Sequence, residues 1–332
     1  MVLVIDLLLF AVSIAVMINA GKWVINSVVN LSRALNIREF VAGFIIVGVA
    51  TSLPELFVGV NAALQRNTDI VLGTIIGANI VDLTLVAGIA AIVGKGMRIK
   101  AGLIGKDAWL MLGAASLPVL LMLDKTLSRL DGIILLLVFF VYVIMLYAED
   151  RRLRKKNERQ RRAMPESSRA FSLAEGIKDT KRLLSNFGIF ALGIALLFIS
   201  ANFVVRYAAG LAIGLSLPQM FIGLFIISMG TTLPELVFEV QSIIRRHVQA
   251  GVGNIIGSVV ANSTLILGLS AIIYPLTANM LLFFTGAFFM ILVILIFIAL
   301  IHARKGISMN EGIFLILLYT VFVLAEFYVS SI

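Results

Sequence analysis

The sequence predicts an all-α polytopic membrane protein, with about ten transmembrane helices arranged as two inverted-topology five-helix repeats. Three observations support this fold class. Of the 332 residues, 61% are hydrophobic and only 14% are charged, whereas soluble domains carry nearer a quarter charged residues. Uncharged stretches long enough to cross a hydrocarbon core of roughly 30 Å recur along the chain. A segment of the first half is also repeated in the second half.

Ten apolar stretches define the predicted spans, and each is expected to be helical because a helix satisfies its own backbone polar groups in lipid. The first stretch lacks a basic start and a small-residue cleavage site, so we expect it to be a retained helix rather than a signal peptide. The spans cover about residues 2–20, 39–63, 70–93, 106–123, 131–148, 187–208, 218–243, 251–274, 279–301 and 311–329.

One long polar linker, residues 149–186, separates a first repeat (1–148) from a second repeat (187–332) and contains 12 of the 27 Lys and Arg residues. Cytoplasmic loops are enriched in Lys and Arg, so the linker is predicted to be cytoplasmic. Five spans on either side then place both termini outside, with 23 of the 27 basic residues inside. We expect a multi-pass protein of the cell membrane (inner or plasma). Lipid headgroups are an alternative target for the basic linker, and the net charge of +9 does not indicate nucleic acid.

A shift of 180 residues aligns residues 43–92 with 223–272 without a gap, within α-repeats of about 41–92 and 221–272. The two copies share Thr-x-Leu-Pro-Glu-Leu and, further on, Gly-x-Ile-Ile-Gly. Because each half has an odd number of spans, the halves enter the membrane from opposite faces. Inverted repeats with helix-breaking residues at corresponding positions are typical of secondary transporters that bind their substrate near the membrane midplane.

A proline followed by a glutamate interrupts one span of each repeat, at Pro54-Glu55 and Pro234-Glu235. Proline lacks an N–H and disrupts the preceding turn, which frees a carbonyl that needs a partner in lipid. A lone proline would be explained by a packing kink, but an acid at the centre of a span costs roughly 2.5–3.5 kcal/mol. The paired carboxylates and oxygen ligands therefore predict a site for a hard cation such as Ca²⁺.

Further oxygen-bearing side chains lie close to these motifs in the sequence. In the next span of the second repeat, Ser258 and Asn262 are four residues apart and share a helix face, and the matching residues of the first repeat are Ala78 and Asp82. Ser258 and Asn262 could instead hydrogen-bond between helices. Glu239 lies one turn beyond Glu235, where the first repeat has Gly59, and we expect an interfacial or vestibule position rather than a direct ligand. The candidate ligands from this pattern are Glu55, Glu235, Asp82, Asn262, Ser258 and the hydroxyls of Thr51, Ser52, Thr231 and Thr232.

Enzymatic chemistry is not predicted, and no resident cofactor is expected. The chain has no cysteine, which excludes disulfides, thiolate metal sites and a cysteine nucleophile. Its two histidines, His247 and His302, fall in predicted loops. An intramembrane hydrolase that uses Ser52 or Asp82 is a remote alternative, since the sequence contains neither His-Glu-x-x-His nor Gly-x-Ser-x-Gly. A cation channel is a second remote alternative.

The paired motifs resemble the two α-repeats of the cation/Ca²⁺ exchanger superfamily, and most closely those of its prokaryotic sodium/calcium exchanger family. The resemblance implies Na⁺-driven Ca²⁺ extrusion by alternating access, with both ions competing for Glu55 and Glu235. It also implies that the first and sixth helices slide across the other eight. By the same resemblance, the other ligands are the carbonyls of Thr51 and Thr231 for Ca²⁺, those of Gly48 and Ser228 for Na⁺, the hydroxyls of Ser52, Thr232 and Ser258, and Asp82 with Asn262 at the centre.

Three departures from the family pattern involve four positions. Ala78 stands where a serine is usual, Thr232 replaces a serine, and the central Asn and Asp are exchanged as Asp82 and Asn262. The number of carboxylates is unchanged, so binding of a divalent ion is still expected. The counter-ion stays open, with H⁺ or K⁺ as alternatives to Na⁺. The expected partners are the transported cations and the lipid bilayer, and no oligomeric state is predicted.

Overall fold

The computed structural model describes residues 2–34, 37–66, 68–98, 105–162, 180–214, 228–277 and 280–330. These residues are almost entirely helical. In the first half the helices are α1 (Val2–Ala34), α2 (Glu39–Thr51), α3 (Leu53–Leu64), α4 (Thr68–Val81, continuing through Asp82–Val86 to Ala87–Val93), α5 (Gly105–Leu121) and α6 (Arg129–Arg162).

The second half repeats this order of helices. Its helices are α7 (Thr180–Gly214), α8 (Ser228–Thr231), α9 (Leu233–Ile244), α10 (Val248–Val260, continuing through Ala261–Ile266 to Leu267–Ile273), α11 (Met280–Arg304) and α12 (Met309–Ser330). Two short strands, β1 (Met97–Arg98) and β2 (Gly306–Ile307), pair antiparallel between the halves.

Six helices in the described ranges are long and apolar enough to cross a membrane, and the bent pair α2–α3 makes a seventh. The other three predicted spans fall on α1, on α7 and on a range whose residues 218–227 lie outside the description. Many outward-facing side chains of α6 and α12 are large and apolar, including Leu137, Ile144 and Leu324, as expected for a surface in lipid. The predicted fold class, an all-α polytopic membrane protein, is confirmed.

Several helices extend beyond their predicted bounds. The first helix continues to Ala34, so Lys22 and Arg33 lie on α1 rather than in a loop. Hydropathy falls where polar residues begin, but the helix does not end there: Lys22 Nζ donates to Asn19 Oδ1 at 3.2 Å on the exposed face. Likewise α6 extends to Arg162 and α7 begins at Thr180, so helix enters both ends of the predicted linker, whose residues 163–179 lie outside the description.

The two halves are related in structure as well as in sequence. Helix α4 approaches α12 closely at Gly88, where a Cβ would lie 2.7 Å from the carbonyl oxygen of Gly312. Helix α6 approaches α10 in the same way at Gly132, where a Cβ would lie 2.7 Å from the carbonyl oxygen of Gly268. Each pair maps onto the other by the shift of 180 residues. Because glycine has no side chain, the backbones can approach this closely, as is common between membrane helices.

Contacts between the halves fix which loops share a face. Leu127 pairs with Leu276 just beyond the C-terminal end of α5, whereas β1 pairs with β2 close to its N-terminal end. Two ion pairs lie on the same side as the N-terminal end of α5: Arg38 Nε is 2.8 Å from Asp150 Oδ1, and Lys106 Nζ is 3.3 Å from Glu149 Oε2. We call this face, where α6 passes into the linker, the linker side.

Candidate cation site

The Pro-Glu motifs form two equivalent breaks in helix. Ser52, between α2 and α3, has φ −79° and ψ 8°, and Thr232, between α8 and α9, has φ −91° and ψ 2°. The axis bends by 43° at Ser52. Proline follows two residues later in each case, where its missing N–H leaves no donor for the carbonyl one turn earlier. The predicted interruption of both helices is therefore observed.

Each break brings a glutamate into the centre of the bundle. Glu55 is 0% exposed and Glu235 is 1% exposed, and each carboxylate interacts electrostatically with the other and with Asp82, which is 1% exposed. Thr231 lies close enough to Glu55 to interact with its carboxylate, and Thr51 lies similarly beside Glu235. Neither Glu55 oxygen, however, has a hydrogen-bond donor in favourable geometry. The two repeats thus contribute jointly to one polar centre.

The centre holds three carboxyl groups, and no basic side chain is buried beside them in the described part of the chain. Among the described residues, no Lys or Arg is buried. Both oxygens of Glu55, both of Asp82 and Oε2 of Glu235 are buried without a hydrogen-bond partner. A buried charge that is neither paired nor hydrogen-bonded is unfavourable by several kcal/mol. Such oxygens are suited to bind a cation.

Asp82 and Asn262 lie in equivalent π-helical turns, Asp82–Val86 and Ala261–Ile266. A π-helical turn widens the helix locally and occurs frequently at functional sites. Helix α9, which carries Glu235, packs on the first turn, and α3, which carries Glu55, packs on the second. Each glutamate helix therefore contacts the polar turn of the opposite repeat.

Helix α2 approaches α10 closely because glycines line the contact. A Cβ on Gly257 would lie 2.7 Å from the carbonyl oxygen of Phe44, and one on Gly48 would lie 3.0 Å from Gly257. The contact places the Ser258 hydroxyl 3.4 Å from the carbonyl oxygen of Gly48. This arrangement brings a hydroxyl of the second repeat to a candidate carbonyl ligand of the first.

Two buried asparagines belong to the site although we did not identify them from the sequence. Asn79 Oδ1 accepts a hydrogen bond from Asn262 Nδ2 at 3.1 Å, and Asn79 Nδ2 donates to Ser263 Oγ at 2.8 Å. Asn254 Oδ1 accepts from Thr51 Oγ1 at 3.1 Å. The signal for both was an amide inside an apolar span, without a counterpart at the matching position of the other repeat.

The remaining candidates have mixed outcomes. Thr232 Oγ1 donates to the Met229 carbonyl at 3.1 Å, Ser52 Oγ is buried without a partner, and the side chain of Ser228 lies outside what is described. Glu239 is 0% exposed, so of the two predicted positions, interfacial or vestibule, the solvent-exposed interface does not apply. His302 lies on α11 rather than in a loop. In the described ranges, no three acidic or histidine side chains form a ready-made metal cluster.

Comparison with protein families identifies the architecture. Residues 5–148 and 185–328 match the family model described as sodium/calcium exchanger protein, which covers both halves of the chain. The chain belongs to the sodium/calcium exchanger family. It is therefore a multi-pass membrane transport protein of the exchanger class.

Individual relatives extend along most of the chain. The sodium/calcium exchanger MaX1 of Methanosarcina acetivorans is 28% identical and aligns over 98% of this chain and 99% of its own length. The inner membrane protein YrbG of Escherichia coli is 30% identical over 85% of this chain and 84% of its own. The solved structure of the exchanger NCX_Mj, soaked with zero Na⁺ and Ca²⁺, has a TM-score of 0.80 at 20% identity and covers 97% of this chain and 99% of that one. This structural likeness establishes the fold alone.

Proposed function

We propose that the protein is a Na⁺-driven Ca²⁺ antiporter, in which both ions compete for one site formed by Glu55 and Glu235. The observation that carries this proposal is the pair of buried, unbalanced glutamates at equivalent helix breaks of two inverted repeats. Membership of the sodium/calcium exchanger family supports the choice of ions. The name of MaX1, which aligns over nearly its whole length, supports it as well.

In this proposal Ca²⁺ takes oxygen ligands from both repeats. Ca²⁺ accepts six to eight oxygens in flexible geometry, so carboxylates, hydroxyls and freed carbonyls can be combined. Glu55 and Glu235 supply the charge, and the carbonyls of Thr51 and Thr231 complete the Ca²⁺ site. The carbonyls of Gly48 and Ser228 would bind Na⁺. The hydroxyls of Ser52, Thr232 and Ser258 and the central pair Asp82 and Asn262 complete the set.

Coupling follows from competition for the same carboxylates. An empty site holds uncompensated acid charge in a medium of low dielectric constant, which disfavours rearrangement of the surrounding helices. One Ca²⁺, or several Na⁺, would neutralise the two glutamates or their equivalent, with one of the three acids, Asp82 or a glutamate, holding a proton when Ca²⁺ is bound. The neutral site could then face the opposite side. The site can then turn in either direction only with ions bound, so the fluxes of Ca²⁺ and Na⁺ are coupled.

The moving part is proposed to be the pair α1 and α7, which would slide across the rest of the bundle. These two long helices pack extensively against each other, and a Cβ on Gly193 of α7 would lie 2.8 Å from a methyl of Val24 on α1. Buried apolar side chains of both helices, including Ile25, Val28 and Leu197, belong to one hydrophobic cluster. This extensive packing would hold the two helices together, which supports motion as a unit.

The orientation is also part of the proposal. The linker side would face the cytoplasm, with both termini outside, and residues 1–148 and 187–332 would be the two repeats. The loops predicted to be inside share one face, as the contacts of Arg38 with Asp150 and of His247 with Glu39 indicate. The concentration of Lys and Arg there supports the cytoplasmic assignment.

The counter-ion has one specific alternative. Ala78 is 1% exposed and supplies no hydroxyl where the family pattern has a serine, which would remove a Na⁺ ligand. A H⁺-coupled or K⁺-dependent exchanger is therefore the second candidate. Uptake of radiolabelled Ca²⁺ into vesicles, driven separately by Na⁺, H⁺ and K⁺ gradients, distinguishes the three. A dependence on Na⁺ supports the proposal, whereas uptake driven by a pH gradient in the absence of Na⁺ contradicts it.

A further inference from the structure

A fourth acidic side chain, Glu239, lies in the same helix as Glu235 and is not used in the mechanism above. It is 0% exposed, and neither of its carboxylate oxygens has a hydrogen-bond partner. It follows Glu235 by four residues, which places it about 6 Å further along the axis of α9. It also interacts electrostatically with Asp82. Glu239 is therefore near the central site but separate from it.

The direction of this offset is fixed by the end of α9. Beyond Ile244, Arg245 Nη1 donates to Asn26 Oδ1 at 2.6 Å, and His247 Nδ1 lies 3.1 Å from both carboxylate oxygens of Glu39. Glu39 directly follows Arg38, which contacts Asp150 on the linker side. Glu239 thus lies between the central site and the linker side.

The space around Glu239 is built into the surrounding sequence. A Cβ on Gly251 of α10 would overlap the Glu239 carboxylate, so the glycine makes room for it. The matching position of the first repeat is Val71. Asn254 shares a helix face with Gly251, three residues away, and is hydrogen-bonded to Thr51. Polar groups therefore continue from Glu239 towards the central site.

The equivalent place in the first repeat is closed. There the position of Glu239 is Gly59, and a Cβ on it would lie 3.1 Å from Ile266 and 3.2 Å from the Ser270 hydroxyl. The counterparts of Ile266 and Ser270 on the side of Glu239 are the smaller Val86 and Ala90, on helices that α9 contacts. Three smaller residues, Gly251 of the second repeat and Val86 and Ala90 of the first, thus accompany one larger acid. The asymmetry therefore involves residues of both repeats around Glu239.

We propose that Glu239 binds a transported hard cation, Ca²⁺ or Na⁺, in a second site between the linker side and the central site. A carboxylate that is buried, unpaired and given space by a glycine is suited to hold a cation that has left water. Because the first repeat has no such acid, the site serves ions that enter or leave by the linker side only. This inference rests on the proposed exchange function.

The test compares the two faces of the same protein. Inside-out and right-side-out vesicles from one expressing culture present opposite faces to radiolabelled Ca²⁺, and initial rates give a KM for each face. In Glu239→Gln we expect the KM for Ca²⁺ at the linker side to rise about tenfold, equivalent to about 1.4 kcal/mol of binding free energy. At the opposite face the KM should stay within about twofold. Glu326→Gln neutralises another carboxyl, which contacts Thr285 between α11 and α12, and should change neither value.

Each other outcome overturns the inference. An unchanged KM at both faces, or an equal rise at both, excludes a site on one side. Complete loss of exchange in folded Glu239→Gln makes the residue a central ligand instead. If that variant does not accumulate, Glu239→Asp keeps the carboxylate on a side chain shorter by one methylene group and should raise the KM at the linker side alone. The absence of such a rise contradicts the proposal. Wild-type vesicles without Ca²⁺ exchange would refute the proposed function itself.

Discussion

The close approach of α2 to α10 is the packing feature on which the site geometry depends most, and Gly257→Ala tests it. The new Cβ would lie 2.7 Å from the carbonyl oxygen of Phe44 and 2.9 Å from its Cα, so it meets backbone that cannot rotate away. Overpacking of this kind destabilises by about 1–3 kcal/mol. Alanine recovers at most about 1 kcal/mol of helix propensity. Because the clash is with backbone atoms, we take the upper part of that range, about 2–3 kcal/mol, which leaves a net loss of about 1–2 kcal/mol.

The matched control is Gly113→Ala on α5, where a Cβ meets no atom within 4 Å. That variant gains helix propensity without a clash and should be as stable as wild type or slightly more so. Thermal unfolding of the purified proteins in detergent measures both, and Ca²⁺ exchange in vesicles measures the effect on the site. Gly257→Ala should unfold several degrees lower and exchange more slowly, because the Gly48 carbonyl and Ser258 are displaced. Equal stability and activity of the two variants would refute the packing argument.

Three further predictions concern the site. Asn79→Ala leaves Asn262 Nδ2 without its acceptor, so it should destabilise the protein by about 1–3 kcal/mol and lower the rate of exchange. Thermal unfolding and vesicle flux measure these two effects, and wild-type values for both would contradict the role of Asn79. Ala78→Ser supplies a hydroxyl in a buried position and should increase the apparent affinity for Na⁺ in Na⁺-titrated Ca²⁺ uptake, and an unchanged Na⁺ dependence argues against a Na⁺ site at this position. Glu55→Gln and Glu235→Gln should each abolish exchange without loss of expression, since each removes an unbalanced buried charge.

Much of the fold was predictable because lipid restricts the choice of structure. Long uncharged apolar runs satisfy their backbone polar groups in lipid as helices, and the repeated Pro-Glu motifs predicted both breaks from the sequence alone. The helix ends were less predictable, since hydropathy marks where the membrane ends and not where hydrogen bonding ends. Lys22 and Arg33 illustrate the difference, because polar side chains on an exposed face do not interrupt α1.

The site was predictable where the repeats agree and less so where they differ. Glu55 and Glu235 follow from symmetry, whereas Asn79 and Asn254 each have a partner from the other repeat that only the packing of α2, α4 and α10 reveals. Glu239 was expected at an interfacial or vestibule position because it lies one turn beyond Glu235 and its counterpart is Gly59. Its burial depends on Gly251, a position twelve residues further along the chain whose significance the sequence alone does not show.

Vesicle uptake of radiolabelled Ca²⁺ under an imposed Na⁺ gradient tests the central claim most directly. Wild-type protein should accumulate Ca²⁺ when Na⁺ leaves the vesicle down its gradient, and uptake should stop when the gradient is dissipated. Glu55→Gln and Glu235→Gln should show no uptake, while Glu326→Gln should behave as wild type. Uptake that persists in both site variants, or that needs no ion on the opposite side, would contradict an antiporter built on these two glutamates.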